Sequence, residues 1–201
     1  MRKALLIAIV LLVFSCLAIY FLVITEKKIE IEPIALVPEN ASFIVKVNDF
    51  GTFLRSDEGK SKAFNHLLNQ TTDPSLKTGI DFLMQIEKAT GNNNPKPLLI
   101  AVYSTKNNLD WFFALGNIHP GIDIRNMVVN KSGAPIRTFN QTDIAILDKL
   151  PGSNWAIAFF NQTFVIASND LLIEKAILQY TEGQSLLSDS TFFSLYRLLG
   201  F

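Results

Sequence analysis

Leu98-Leu99-Ile100-Ala101-Val102-Tyr103, the polar Ser104-Thr105-Lys106-Asn107-Asn108, and then Trp111-Phe112-Phe113-Ala114-Leu115 make up the passage on which the architecture turns. Two short apolar runs rich in β-branched and aromatic side chains, separated by turn-forming residues, read as a β-hairpin. Neither run alternates apolar with polar, so both faces of these strands are expected to be covered. Further along, Ile136 to Phe139, Ile144 to Leu147, Trp155 to Phe160 and Phe164 to Ala167 supply four more strand candidates. The tetrad Phe-Asn-Gln-Thr joins them twice, at Phe139-Asn140-Gln141-Thr142 and Phe160-Asn161-Gln162-Thr163. Asn tolerates the left-handed backbone of a tight hairpin, although Gln is a poorer second turn residue than Gly. On the N-terminal side, Phe43, Val45 and Val47 point one way and Lys46 and Asn48 the other, the pattern of a half-buried strand.

Helical spacing separates these strands. Phe50, Phe53 and Leu54 suit a short turn of helix, and Phe64, Leu67 and Leu68 give a stripe behind Ser61 as N-cap. Asp73-Pro74 places a capping carboxylate before a proline at the first helical position. Leu76, Ile80, Leu83 and Met84 then recur at helical spacing, and Gly91 to Pro95 stops the run. Ile124, Met127 and Val128 suggest another short helix. Asn169-Asp170 caps a segment carrying Ile173, Ala176, Ile177 and Tyr180 and ending at Gly183. Asp189-Ser190 caps Phe192, Leu195, Tyr196 and Leu199. This last stripe requires a cover: either it packs on the sheet or the chain continues beyond Phe201. The expected fold class is α+β, with an N-terminal transmembrane helix followed by a mainly antiparallel sheet and helices packed on one face.

The transmembrane expectation rests on the 21 residues from Ala4 to Ile24, an uncharged apolar run between Arg2-Lys3 and Thr25-Glu26-Lys27-Lys28. At about 1.5 Å per residue such a helix reaches roughly 31 Å, matching the roughly 30 Å hydrocarbon core of a bilayer. The run exceeds the apolar core of a secretory signal peptide, about 7 to 15 residues. Val13-Phe14-Ser15-Cys16 has the outline of a lipoprotein box, but Phe14 is bulky for it and the sequence stays apolar through Ile24. The chain therefore divides into a cytoplasmic tail (1–3), an anchor (4–24), a linker (25–37) broken by Pro33, and an exterior domain (38–201). The cationic flanks and the very short N-terminal tail place the N-terminus in the cytoplasm.

Composition narrows the chemistry. The net charge is zero, with no block of five like charges, so the basic footprint of a nucleic-acid binder is missing. Cys16 is the only cysteine, which excludes an intrachain disulfide and a multi-thiolate zinc site, and leaves stability to packing, much of it by 16 Phe residues. His66 and His119 are the only histidines and lack metal-ligand spacing. No Gly-x-Ser-x-Gly elbow and no phosphate-cradling glycine loop is present. Asp143, Asp148 and Asp170 read as strand-flanking and capping residues rather than paired catalytic carboxylates. No catalytic, cofactor-binding or metal-binding residue is assigned, and no cofactor is expected. Five Asn-x-Ser/Thr sequons, at Asn40, Asn69, Asn130, Asn140 and Asn161, exceed the roughly two expected from composition, and are read mainly as turns.

Val37-Pro38-Glu39-Asn40-Ala41-Ser42 leading into a strand, and Leu186-Leu187-Ser188-Asp189-Ser190-Thr191-Phe192 after a helix, resemble the pattern of a family of bacterial, membrane-anchored domains of unknown function. Members are generally longer, so the chain resembles an N-terminal portion. The resemblance implies a location and carries over no site residue. The sequence thus predicts a single-pass membrane-anchored protein with a non-catalytic extracytoplasmic interaction module. Its partners would be the lipid bilayer, through residues 4–24, and an envelope or membrane protein. The alternative is an extracytoplasmic hydrolase whose site assembles from scattered residues such as His119 and Asp110.

Overall fold

The computed structural model describes residues 32–56, 74–91, 94–105, 108–118, 133–148, 150, 154–160, 162–183 and 185–198. Seven described strands form one sheet: β1 (Phe43–Val47), β2 (Leu98–Ser104), β3 (Leu109–Leu115), β4 (Ile136–Phe139), β5 (Thr142–Leu147), β6 (Trp155–Phe160) and β7 (Thr163–Ala167). Their order is β1-β2-β3-β7-β6-β5-β4, and every pairing is antiparallel. Successive strands pair except at the centre, where β7 rather than β4 lies beside β3; β1 reaches β2 only after α-helical segments. In the β4–β5 hairpin Phe139 pairs with Thr142, and the two turn residues Asn140 and Gln141 take φ of 45° and 64°. The turn is thus left-handed at both positions, Gln141 included, as the twist of a two-residue hairpin demands. Phe160 pairs with Thr163 in the same register at the second copy of the tetrad.

Side chains alternate between two buried layers, and the two differ in bulk. One face carries Leu99, Ala101, Phe112, Ala114, Ile144, Ala156, Ala158, Val165 and Ala167. The other carries Leu98, Phe113, Leu115, Leu147, Trp155, Ile157, Phe164 and Ile166. Against the bulky face pack helices α1 (Phe50–Arg55) and α2 (Pro74–Thr90), the latter through Leu76, Ile80, Leu83 and Ile86. Against the alanine-rich face pack α3 (Asp170–Glu182), through Leu172, Ile173, Ala176 and Ile177, and the end of α4 (Ser190–Leu198), through Tyr196. Helices therefore cover both faces, correcting the expected one-sided arrangement. Strands apolar on both sides must bury both; the alanines admit the side chains of α3, and the aromatics meet α2 where Gly79 carries no side chain.

The helix ends follow the capping chemistry. Asn169 Oδ1 accepts from Leu171 N at 3.0 Å, and Gly183 closes α3 in a left-handed conformation. Asp189 Oδ1 accepts from the N–H groups of Thr191 and Phe192 at 2.8 and 2.9 Å at the start of α4. Pro74 opens α2, where the missing N–H costs no helical bond.

Part of the stretch read as linker belongs to a described element. Pro33–Leu36 is a turn of 3-10 helix, and Ile34, Leu36 and Val37 are fully buried in the alanine-rich layer. These buried residues lie ahead of Pro38, so the described core includes them. Proline is compatible with the first position of such a turn, so Pro33 starts an element instead of breaking one. Lys46 also departs from expectation: its face of β1 is covered, and its side chain is only 15% exposed. The anchor run 4–24, the helix expected around Phe64 and that around Ile124 lie outside the described residues. Among the described residues no helix is long and apolar enough to cross a membrane.

Candidate functional site

Three charged clusters are the chemistry this fold gathers. The most buried joins Glu87 on α2, 6% exposed, to Lys96, 3% exposed, on the segment running into β2. Lys96 Nζ stands 3.1 Å from Glu87 Oε2 and also donates to the carbonyl of Gly91, just past the end of α2. Glu87 Oε2 takes no hydrogen bond among the described residues, so the attraction through it is coulombic. The backbone of Lys96 reaches α1: its carbonyl accepts from Phe50 N at 2.9 Å and its N–H donates to Asp49 Oδ1 at 3.4 Å. Burial opposes ionisation of Asp49. The hydrogen bonds from Thr52 and from the backbone of Lys96, Thr52 and Gly51 outweigh it, and hold the carboxyl below its usual range. Gly51 permits the contact, because a Cβ there would collide with the Glu87 carboxylate. The Lys96 ammonium is enclosed by the fold. It clamps α1, α2 and β2 together, and either charge alone would be costly to bury.

The other two clusters sit at the sheet's edges. On β4, Arg137 donates to Glu174 Oε1 at 2.5 Å and to Asp170 Oδ2 at 2.9 Å, both on α3. Burial works against its charge, but the bonds to Glu174 and Asp170 prevail and raise its pKa further. On β1, Lys46 Nζ donates to the Tyr196 hydroxyl at 2.9 Å, and that hydroxyl donates to Glu32 Oε1 at 2.6 Å. Burial, then the hydrogen bond to Glu32 and its charge, push the Tyr196 hydroxyl above its ordinary range. Each edge strand therefore turns one cation toward the alanine-rich face, where an acid from a neighbouring element holds it.

Two concavities occur among the described residues. One, of about 130 Å³, is largely apolar and lies between Phe82, the Ala134-Pro135 segment, Leu147 and Leu150. The other, of about 240 Å³, runs between α3 and the turn at Pro38-Glu39-Asn40, beside Lys175, Leu178 and Glu182. Its floor is built by Gln179, whose Nε2 donates to Val37 O at 2.8 Å and whose Oε1 accepts from Glu39 N at 3.2 Å. Tyr103 secures the same turn by donating to Pro38 O at 2.7 Å, and its own burial raises the hydroxyl's pKa.

Among the described residues singled out by sequence, Asp110, Asp143 and Asp170 each have a separate local partner. His66 and His119 lie outside the described residues, as do the sequons at Asn69, Asn130 and Asn161. Asp110, on β3, accepts from the Asn169 side-chain amide at 3.4 Å. Asp143 accepts from Thr138 at 2.9 Å in the β4–β5 hairpin, Asp148 lines the apolar concavity, and Asp170 pairs with Arg137. Asn40 occupies a left-handed turn at φ 66°, and Asn140 donates to Thr181 Oγ1 at 3.0 Å. Among the described residues no three metal-ligating side chains come together. Sequence reasoning missed Glu87 and Lys96. The one available signal was the helical repeat itself, since Glu87 falls one turn beyond Leu83 on the buried stripe. No family model, no curated protein and no solved structure matches the chain.

Proposed function

We propose that this chain is a single-pass membrane-anchored protein, N-terminus in the cytoplasm, whose exterior body is a non-catalytic module that binds an envelope or membrane protein. The observation that carries this reading is the uncharged run from Ala4 to Ile24, long enough to span hydrocarbon, with cations on both flanks. The non-catalytic half is supported by how the gathered charges are used. Lys96 faces Glu87, Lys46 faces Glu32, and Arg137 faces Asp170 and Glu174. These pairs hold elements together instead of converging on a cleft.

The test uses a Cys16→Ser background with Lys106→Cys on the hairpin loop. An impermeant thiol reagent added to intact cells is expected to label this cysteine, and protection until lysis would reverse the topology. Crosslinking of the intact cells should trap the chain with a second protein; recovery of monomer alone would remove the interaction module from the reading.

A further inference from the structure

One stripe of α3 faces away from the sheet. Leu171, Lys175, Leu178 and Glu182, spaced by four, three and four residues, fall on the same side of the helix, and all four are exposed, Leu171 by 55% and Leu178 by 39%. Ile173, Ala176 and Ile177, on the opposite side, are buried. The two charges have no mate on their own helix. Three and four positions from Lys175 stand Leu171, Leu172, Leu178 and Gln179, and before Glu182 at the same spacing stand Leu178 and Gln179. The ion pairs among the described residues engage Lys46, Lys96 and Arg137, and none of them includes Lys175 or Glu182.

What these charges match is each other, reversed. We propose that α3 is a self-recognition surface, through which two copies of this chain associate antiparallel about a two-fold axis passing between residues 178 and 179. Positions 175 and 182 lie equally far from that point, so Lys175 of each copy stands opposite Glu182 of the other, twice per pair. At about 1.5 Å per residue, Leu178 lies within about 1 Å of the level of the axis, and the two Leu178 side chains meet between the charge pairs. The larger concavity, beside Leu178 and bounded by the Pro38-Glu39-Asn40 turn, gives the leucine of the second copy a seat. A parallel arrangement would set Lys175 against Lys175 and Glu182 against Glu182, so charge selects the antiparallel one. Because the contact is isologous, it closes at two copies. Such pairing is independent of the envelope or membrane partner proposed above.

Disulfide trapping of the full-length chain in detergent micelles tests the pairing, in a Cys16→Ser background with Leu178→Cys at its centre. Mild oxidation is expected to give a covalent dimer about tenfold or more faster than with Gln85→Cys, an exposed position on α2 across the sheet. Lys175→Glu and Glu182→Lys, each added alone, set like charges opposite one another twice per pair and should slow trapping about tenfold. Mixing these two variants, or combining both changes in one chain, should restore it, because each reversed charge again meets its opposite. Both positions are exposed, so neither change disturbs the core. Equal trapping at Leu178→Cys and Gln85→Cys, trapping indifferent to the charge reversals, or a mixture that stays monomeric would overturn the pairing.

Discussion

Replacing Gly79 by alanine sets two effects against each other, and their sizes decide the sign. In a helix interior alanine is favoured over glycine by about 1 kcal/mol. Gly79, however, faces the bulky side of the sheet, where an added Cβ would lie 2.6 Å from Phe113 Cζ and 3.1 Å from Trp155 Cη2. Carbon atoms prefer roughly 3.5 to 4.0 Å, so one ring must retreat by about 1 Å. Neither ring has room. Both are fully buried, and Phe113 is stacked between Trp111 and Trp155 at centroid distances of 6.2 and 6.3 Å. Overpacking of this kind costs about 1 to 3 kcal/mol, and an overlap this large belongs at the upper end. The net expectation for Gly79→Ala is a loss of about 2 kcal/mol, or about 1 M in the urea midpoint for an m-value near 2 kcal/mol/M. Trp155 fluorescence reports both the midpoint and the ring's displacement. Shortening the obstructing ring, in Gly79→Ala/Phe113→Leu, should show a favourable coupling of about 1 kcal/mol or more in a double-mutant cycle. A midpoint unchanged or raised by Gly79→Ala alone would refute the close helix-to-sheet contact.

Two further outcomes follow from the buried groups. Lys96→Met leaves Glu87 uncompensated and should destabilise the body by about 3 to 5 kcal/mol, while Lys96→Met with Glu87→Leu should recover much of the loss, as read by urea unfolding. Tyr103 and Tyr196 both have hydroxyls raised above the ordinary value of 10.0. The unfolded chain therefore releases these protons first, and the stability they contribute is complete below about pH 10 and declines as pH rises beyond it. Urea midpoints measured from pH 8 to 11 should fall at the alkaline end, and the fall should be shallower in Tyr103→Phe/Tyr196→Phe.

The strands were legible because their signal is local. Continuous apolar runs such as Trp155–Phe160, punctuated by Asn-Gln turns, leave little choice, and the observed strands fall on them. Which face a helix covers is not a local property. Nothing in Ile80 or Ile173 says on which side of the sheet each will lie; that is settled by the bulk of the opposing strand positions, alanines on one side and aromatics on the other. Pro33-Ile34-Ala35-Leu36 was obscured for a similar reason. Four residues carry too little periodicity to distinguish a tether from a buried turn, and only the contacts with α3 decide it. The buried Glu87–Lys96 pair was hidden because a charged residue on a helix is ordinarily solvated, and its partner lies beyond a loop.

The cations at the two margins of the sheet have a consequence for how this molecule behaves among its own copies. Among the described strands, Lys46 on β1 and Arg137 on β4 lie at the two ends of the sheet order, the kind of position at which a neighbouring chain can template itself. A copy adding laterally would have to bring a second ion-paired cation alongside the first, and charged side chains on an edge strand disfavour such addition. Crowding this protein should therefore leave it as separate tiles instead of ribbons, and the three acids that steady the margins help keep propagation from starting.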